Sequence, residues 1–115
     1  MKEMRNEIEY NGTKYNLVFN LNVMEVIQDE YGTLDKWGSL TDGSKGEPNA
    51  KAIIFGLTAM INEGIDIDNE KDGSNRKPLT HKQVGRILTE IGLSNATNKI
   101  NQVVIESTKS DEKNA

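Results

Sequence analysis

Apolar residues near the start of the chain change their spacing partway along. Ile8 and Tyr10 share one face of a first segment, and Tyr15, Leu17 and Phe19 alternate with Lys14, Asn16 and Asn20, which is the period of a half-buried strand. Between the two arms stands Asn11-Gly12, a pair suited to a type I′ turn because both central residues need positive φ. From Val23 onward, Met24, Val26, Ile27 and Tyr31 recur at helical spacing, with Asn20 or Asn22 as a cap and Gly32 as a stop. The pattern predicts a hairpin whose second strand runs into a helix with no loop between. A two-stranded ribbon is marginal alone, so the helix is expected to fold back over the ribbon's apolar side.

Helical spacing returns four more times. "TLDKWGSL" reads as one short helical turn capped by Thr33, with Trp37 pinning it to the core. After the turn-rich "TDGSKGEPNA", Pro48 suits the start of a helix reaching about Glu63 and stopped by Gly64. Its apolar stripe is Ala50, Ile53, Ile54, Leu57, Met60 and Ile61, and Phe55 falls on the other side. "IDIDNEKDGSNRKP" reads as a polar loop. Thr80 with Gln83 is a capping box opening a helix faced by Val84, Ile87, Leu88 and Ile91 and closed by Gly92. Ser94 then caps a last helix faced by Ile100, Val103 and Val104. The fold class is α+β, mostly α: an N-terminal β-hairpin packed on a small helical bundle of three main helices and one short helix. A single domain spans residues 1–106, and 107–115 form a polar flexible tail.

Composition narrows the function classes. A chain of 115 residues supports one modest core. It holds no cysteine, which removes disulfides and thiolate metal sites. No apolar run is long enough for a membrane span, and "MKEMRNEIEY" lacks the apolar segment of a signal peptide. These features favour a cytosolic protein. The net charge of −4 is uneven. Residues 1–75 carry seven Lys/Arg against fourteen Asp/Glu, whereas residues 76–108 carry five against two. An acidic front and a basic back can steer a partner or self-association.

Candidate chemistry is sparse. Asp66, Asp68, Glu70 and Asp72 alternate ahead of Gly73, and they are the candidate metal ligands of the chain. Aligned as a calcium loop, they place Leu79 where the closing bidentate glutamate belongs, and the other register places Lys71 at the glycine and Lys77 at the twelfth position. Neither register completes an EF-hand, so a solvated acidic loop is the expectation. His81 is the sole histidine, with no second histidine, cysteine or nucleophile motif to join it. No acid–base carboxylate pair, phosphate loop or dinucleotide fingerprint is present, so no enzyme, no cofactor and no resident metal is expected.

Two features point to binding instead. Residues 80–105 form a helix, a glycine and a second helix, which suggests a small helix-turn-helix-like DNA-binding regulator reading bases with Asn95, Thr97, Asn98 and Asn101. Against it, Leu88 stands where a small residue usually permits close crossing, and Asn98 where an apolar one belongs. Lys99 is nearly alone for phosphates, and DNA affinity rests largely on neutralising them. The off-stripe Phe55 lies under a second packing layer or is exposed as a partner anchor. With the flank around Arg86 and Glu90, it makes the candidate partner-binding surface.

The order "KYNLVFNLNVMEVIQDEYG", "LDKWGSL", "AIIFGLTAMINEG" and "LTHKQVGRILTEIGL", with an Asn- and Lys-bearing last helix, resembles the tail assembly chaperones of long-tailed phages and prophages of Gram-positive bacteria. The likeness covers roughly residues 8–105 and is one of layout, with Tyr15 to Gly32 the most telling match. It implies a non-enzymatic protein of the host bacterial cytoplasm that is absent from the finished virion. Such a protein binds the apolar, helical tape measure protein, keeps it soluble, and helps tail tube protein assemble around it. Many members also occur in a longer, frameshifted form. This chain would be the short form, its polar end after Thr108 fitting the junction. The family has no motif from which binding residues transfer one by one.

Overall fold

The structure, a computed structural model, describes the backbone of residues 6–114 and side chains through residue 107. It is mostly helical, with two strands and five helices: β1 (Glu7–Tyr10), β2 (Thr13–Asn16), α1 (Leu21–Tyr31), α2 (Leu34–Thr41), α3 (Ala50–Asp72), α4 (His81–Ile91) and α5 (Leu93–Asn114). Five helices stand where three main ones and one short one were expected. The difference lies in that count alone: the segments that read as helical one by one, after the hairpin and from Thr33, Pro48, Thr80 and Ser94, are also five, and each appears as α1 to α5.

The strands pair antiparallel with Ile8 opposite Tyr15, and Asn11 and Gly12 both take positive φ, as the type I′ turn requires. β2 ends at Asn16, so a short link rather than a continuous strand leads to α1. Within it Leu17 N donates to Asn6 O at 2.7 Å and Val18 N to Met60 O at 3.3 Å. Asn20, not Asn22, caps α1 by accepting from Val23 N at 3.2 Å. Asn20 and Asn22 instead share Glu63, each donating to its carboxylate (2.8 and 3.0 Å), which fastens the start of α1 to the middle of α3.

The ribbon rests on α3, and α1 packs on α2 and α3 beside it rather than folding back over the ribbon. One residue explains the arrangement. Gly64, expected to end α3, is buried inside it, and a Cβ there would overlap the backbone carbonyl of Asn16. Its lack of a side chain lets the strand touch the helix. Helix α3 therefore continues for two more turns, to a left-handed Gly73 cap. Its N-cap is Asn49, which accepts from Ala52 N at 2.9 Å, and Pro48 lies just outside the helix.

Gly56 does the same on another face. A Cβ there would meet the ring of Trp37, which is 2% exposed and donates its Nε1–H to Ala52 O at 2.9 Å. Trp37 thus pins α2 to α3 as its sequence position suggests, although α2 makes two turns rather than one. The core centres on α3 and includes Ile27, Ile53, Leu57, Met60 and Ile61 with Val84, Ile87 and Ile100.

The loop from α3 to α4 is fastened by two asparagines of α3. Asn62 donates to Leu79 O at 3.0 Å and accepts from Leu79 N at 2.8 Å. Asn69 does the same with Arg76, at 3.0 and 3.1 Å. These residues lie seven apart, on one helical face, and each mimics a strand partner for the passing loop. Thr80 and Gln83 then form the capping box of α4. Helix α5 starts at Leu93, one residue before the cap expected at Ser94. Its backbone continues to Asn114 and takes in nearly all of the expected tail. Side chains beyond Ser107 lie outside the described residues, as do residues 1–5, the start judged unlike a signal peptide. Among the described residues no helix is long and apolar enough to cross a membrane.

Candidate functional site

The four alternating acids do not form a loop. Asp66, Asp68, Glu70 and Asp72 all belong to α3, and a helix turns residues two apart to nearly opposite sides. Asp68 accepts from Asn16 Nδ2 at 3.2 Å and lies 3.7 Å from Arg76. Asp72 accepts from Ser74 N at 3.0 Å, and its bonds to Ser74 hold its carboxyl below the usual aspartate range. Among the described residues, no group of three or more acidic, histidine or cysteine side chains is placed to hold a metal ion.

The candidate partner residues fare differently. Phe55 and Arg86 line one groove of about 690 Å³ between α3 and α4, and Glu90 is exposed but not part of that lining. Phe55 is half-buried and makes an edge-to-face contact with Tyr31, ring centroids 5.5 Å apart. Its other neighbour is His81, 5.8 Å away with the rings tilted by 30°. The two readings of Phe55 are therefore both partly met: one edge is packed against α1, and the ring still forms a wall of the groove. Tyr31 is held in turn against Phe55. Burial, aided by the neighbouring Glu30, pushes its hydroxyl pKa above the ordinary tyrosine value.

Ile54 and Gly85 complete the apolar lining, with Lys51, Lys82 and Arg86 around it. Lys51 lies 3.6 Å from Glu30, an exposed pair of the kind worth little in water. Among the described residues neither Lys82 nor Arg86 has an ion-pair partner. Sequence inspection missed Gly85, because a glycine inside an amphipathic helix gives no sign of what faces it. Here a Cβ would meet only Ile54 Cδ1, at an ordinary 3.6 Å, so packing does not demand glycine there.

The helix-turn-helix residues are placed less favourably for DNA. Gly92 alone separates α4 from α5, with φ 93°. Asn95, Asn98 and Lys99 line a cleft of about 310 Å³ whose other side carries Glu7 and Glu9 of the hairpin. A phosphate entering there meets carboxylates, the reverse of what nucleic-acid affinity needs.

No protein-family model, curated protein or solved structure matches this chain.

Proposed function

We propose that this chain is a tail assembly chaperone, the short form, which binds the tape measure protein of its phage or prophage and keeps it soluble while tail tube protein assembles. The groove between α3 and α4 carries the reading. It is an open, apolar-floored trough, and helix-binding proteins hold amphipathic helices in such troughs. Binding lowers the free concentration of sticky helices and slows their self-association by mass action. No bond is made or broken. In this reading the protein works in the host cytoplasm and leaves before the virion is complete.

Co-expression with the tape measure protein of the same phage or prophage tests this. The expected outcome is more soluble tape measure protein and a complex that co-purifies. A folded chain that neither rescues nor co-purifies rejects the reading for the short form. The competing regulator reading predicts DNA retardation at low salt that falls steeply as salt rises.

A further inference from the structure

Helix α4 turns two faces to its surroundings. One buries Val84, Ile87 and Leu88. The other presents positions 81, 82, 85, 86 and 89 to the groove, a strip of two helical turns, or roughly 12 Å of axis. That is the length over which an incoming helix sets two or three anchors at i, i+3/i+4 and i+7. Gly85 stands mid-strip. Glycine is a poorer helix former than alanine, and the fold does not require it here, because a Cβ would make only an ordinary contact with Ile54 Cδ1. Its consequence is depth: without a side chain at 85, Ile54 and Phe55 stay reachable as the trough's floor.

Charge selects among occupants. The chain as a whole has a net charge of −4, yet the groove lining holds three Lys/Arg and no Asp or Glu. A basic helix would be repelled there, and a purely apolar one would leave the cations unused. We infer that the α3–α4 groove takes an amphipathic helix whose apolar stripe is flanked by acidic residues, the stripe lying over Gly85 on Ile54 and Phe55 and the acids meeting Lys51, Lys82 and Arg86. This assignment rests on the preceding reading in that it names the class of segment the partner offers.

The probe is a fluorescent synthetic peptide with leucines at helical spacing and glutamates on both flanks, compared with its lysine-flanked counterpart by anisotropy on the full chain. The glutamate peptide should bind saturably and at least about tenfold more tightly than the lysine peptide, since several exposed ion pairs of 0.2–1 kcal/mol each sum to that order. Gly85→Leu, with helicity and thermal midpoint checked, should abolish binding by filling the trough. Lys82→Glu combined with Arg86→Glu should reverse the preference between peptides. No saturable binding of the glutamate peptide, equal binding of both, or full binding by folded Gly85→Leu overturns the assignment. Binding to phosphatidylglycerol vesicles but not to the peptide overturns it in favour of a membrane surface. The two readings fail separately. If Gly85→Leu still rescues and retains the tape measure protein, the groove is wrong and the chaperone stands. If the peptide behaves as expected and the tape measure protein is not held, the chaperone is wrong and the groove chemistry stands.

Discussion

Gly64 of α3 and Gly85 of α4 are both interior helical glycines, and they have opposite meanings. Above Gly64 lies a strand carbonyl, which cannot move without taking the hairpin with it; above Gly85 a Cβ would make an ordinary contact with one flexible isoleucine methyl and nothing else. Gly56, under the Trp37 ring, belongs with Gly64. On the closed side of the molecule glycine is the condition for contact between elements. On the open side it is a vacancy that the fold tolerates at a cost. The difference separates residues that hold the protein together from those left free for something else.

Adding a methyl group at each glycine is the sharpest way to break that contrast. Gly64→Ala and Gly56→Ala should each destabilise the fold by about 2 kcal/mol, because overpacking costs roughly 1–3 kcal/mol and exceeds the gain in helix propensity. Chemical denaturation measures this, and an unchanged midpoint at either site would remove the distinction. Asn62→Ala comes next. It strips two hydrogen bonds from Leu79 and leaves a half-buried N–H unpaired, a loss of about 1–2 kcal/mol, with faster amide exchange at Leu79 as a second readout.

Gly85→Ala has the opposite sign. It should stabilise by about 0.5–1 kcal/mol, and destabilisation there would place Gly85 with the packing glycines. The smallest effect is at the border of the two regions. The Tyr31 hydroxyl is buried with no hydrogen-bond partner among the described residues, so Tyr31→Phe should change stability at neutral pH by no more than about 0.5 kcal/mol. Its pH dependence is more informative. With its pKa raised in the fold, Tyr31 keeps its proton after unfolded chains begin to release theirs near pH ~10. The unfolded state then binds fewer protons, and stability falls as pH rises through that range. Thermal midpoints between neutral and alkaline pH should fall less in Tyr31→Phe than in the parent.

Local rules explain what could be read from sequence. The Asn11-Gly12 turn, the Thr33 cap and the Thr80–Gln83 capping box each depend on residues within four positions of one another, and all three appear in the structure. The apolar faces of α4 and α5 follow from period alone. The end of α3 was illegible for a physical reason. A glycine followed by alternating acids carries the local marks of a stop and a loop. The helix continues because Gly64 admits the hairpin and because Asn62 and Asn69 hold the loop residues alongside. The groove was legible only as separate residues. Phe55 could be singled out as off its stripe and Arg86 as part of a helix flank, but their meeting across α3 and α4 depends on how those helices cross. Gly85 acquires meaning only once Ile54 is seen beneath it, and Glu90, singled out with Arg86, proves to lie outside the lining.

The burial of Trp37 has a spectroscopic consequence. It is the single tryptophan of the chain, sealed between α2 and α3 with its indole N–H bonded to Ala52 O, and it is not among the residues lining the α3–α4 groove. The protein therefore contains one indole, which can be excited to the red of its three tyrosines and reports on the closed side alone. Its emission should shift to the red when α2 leaves α3 and stay unchanged when a helix enters the groove, so unfolding and docking can be followed separately in the unlabelled chain.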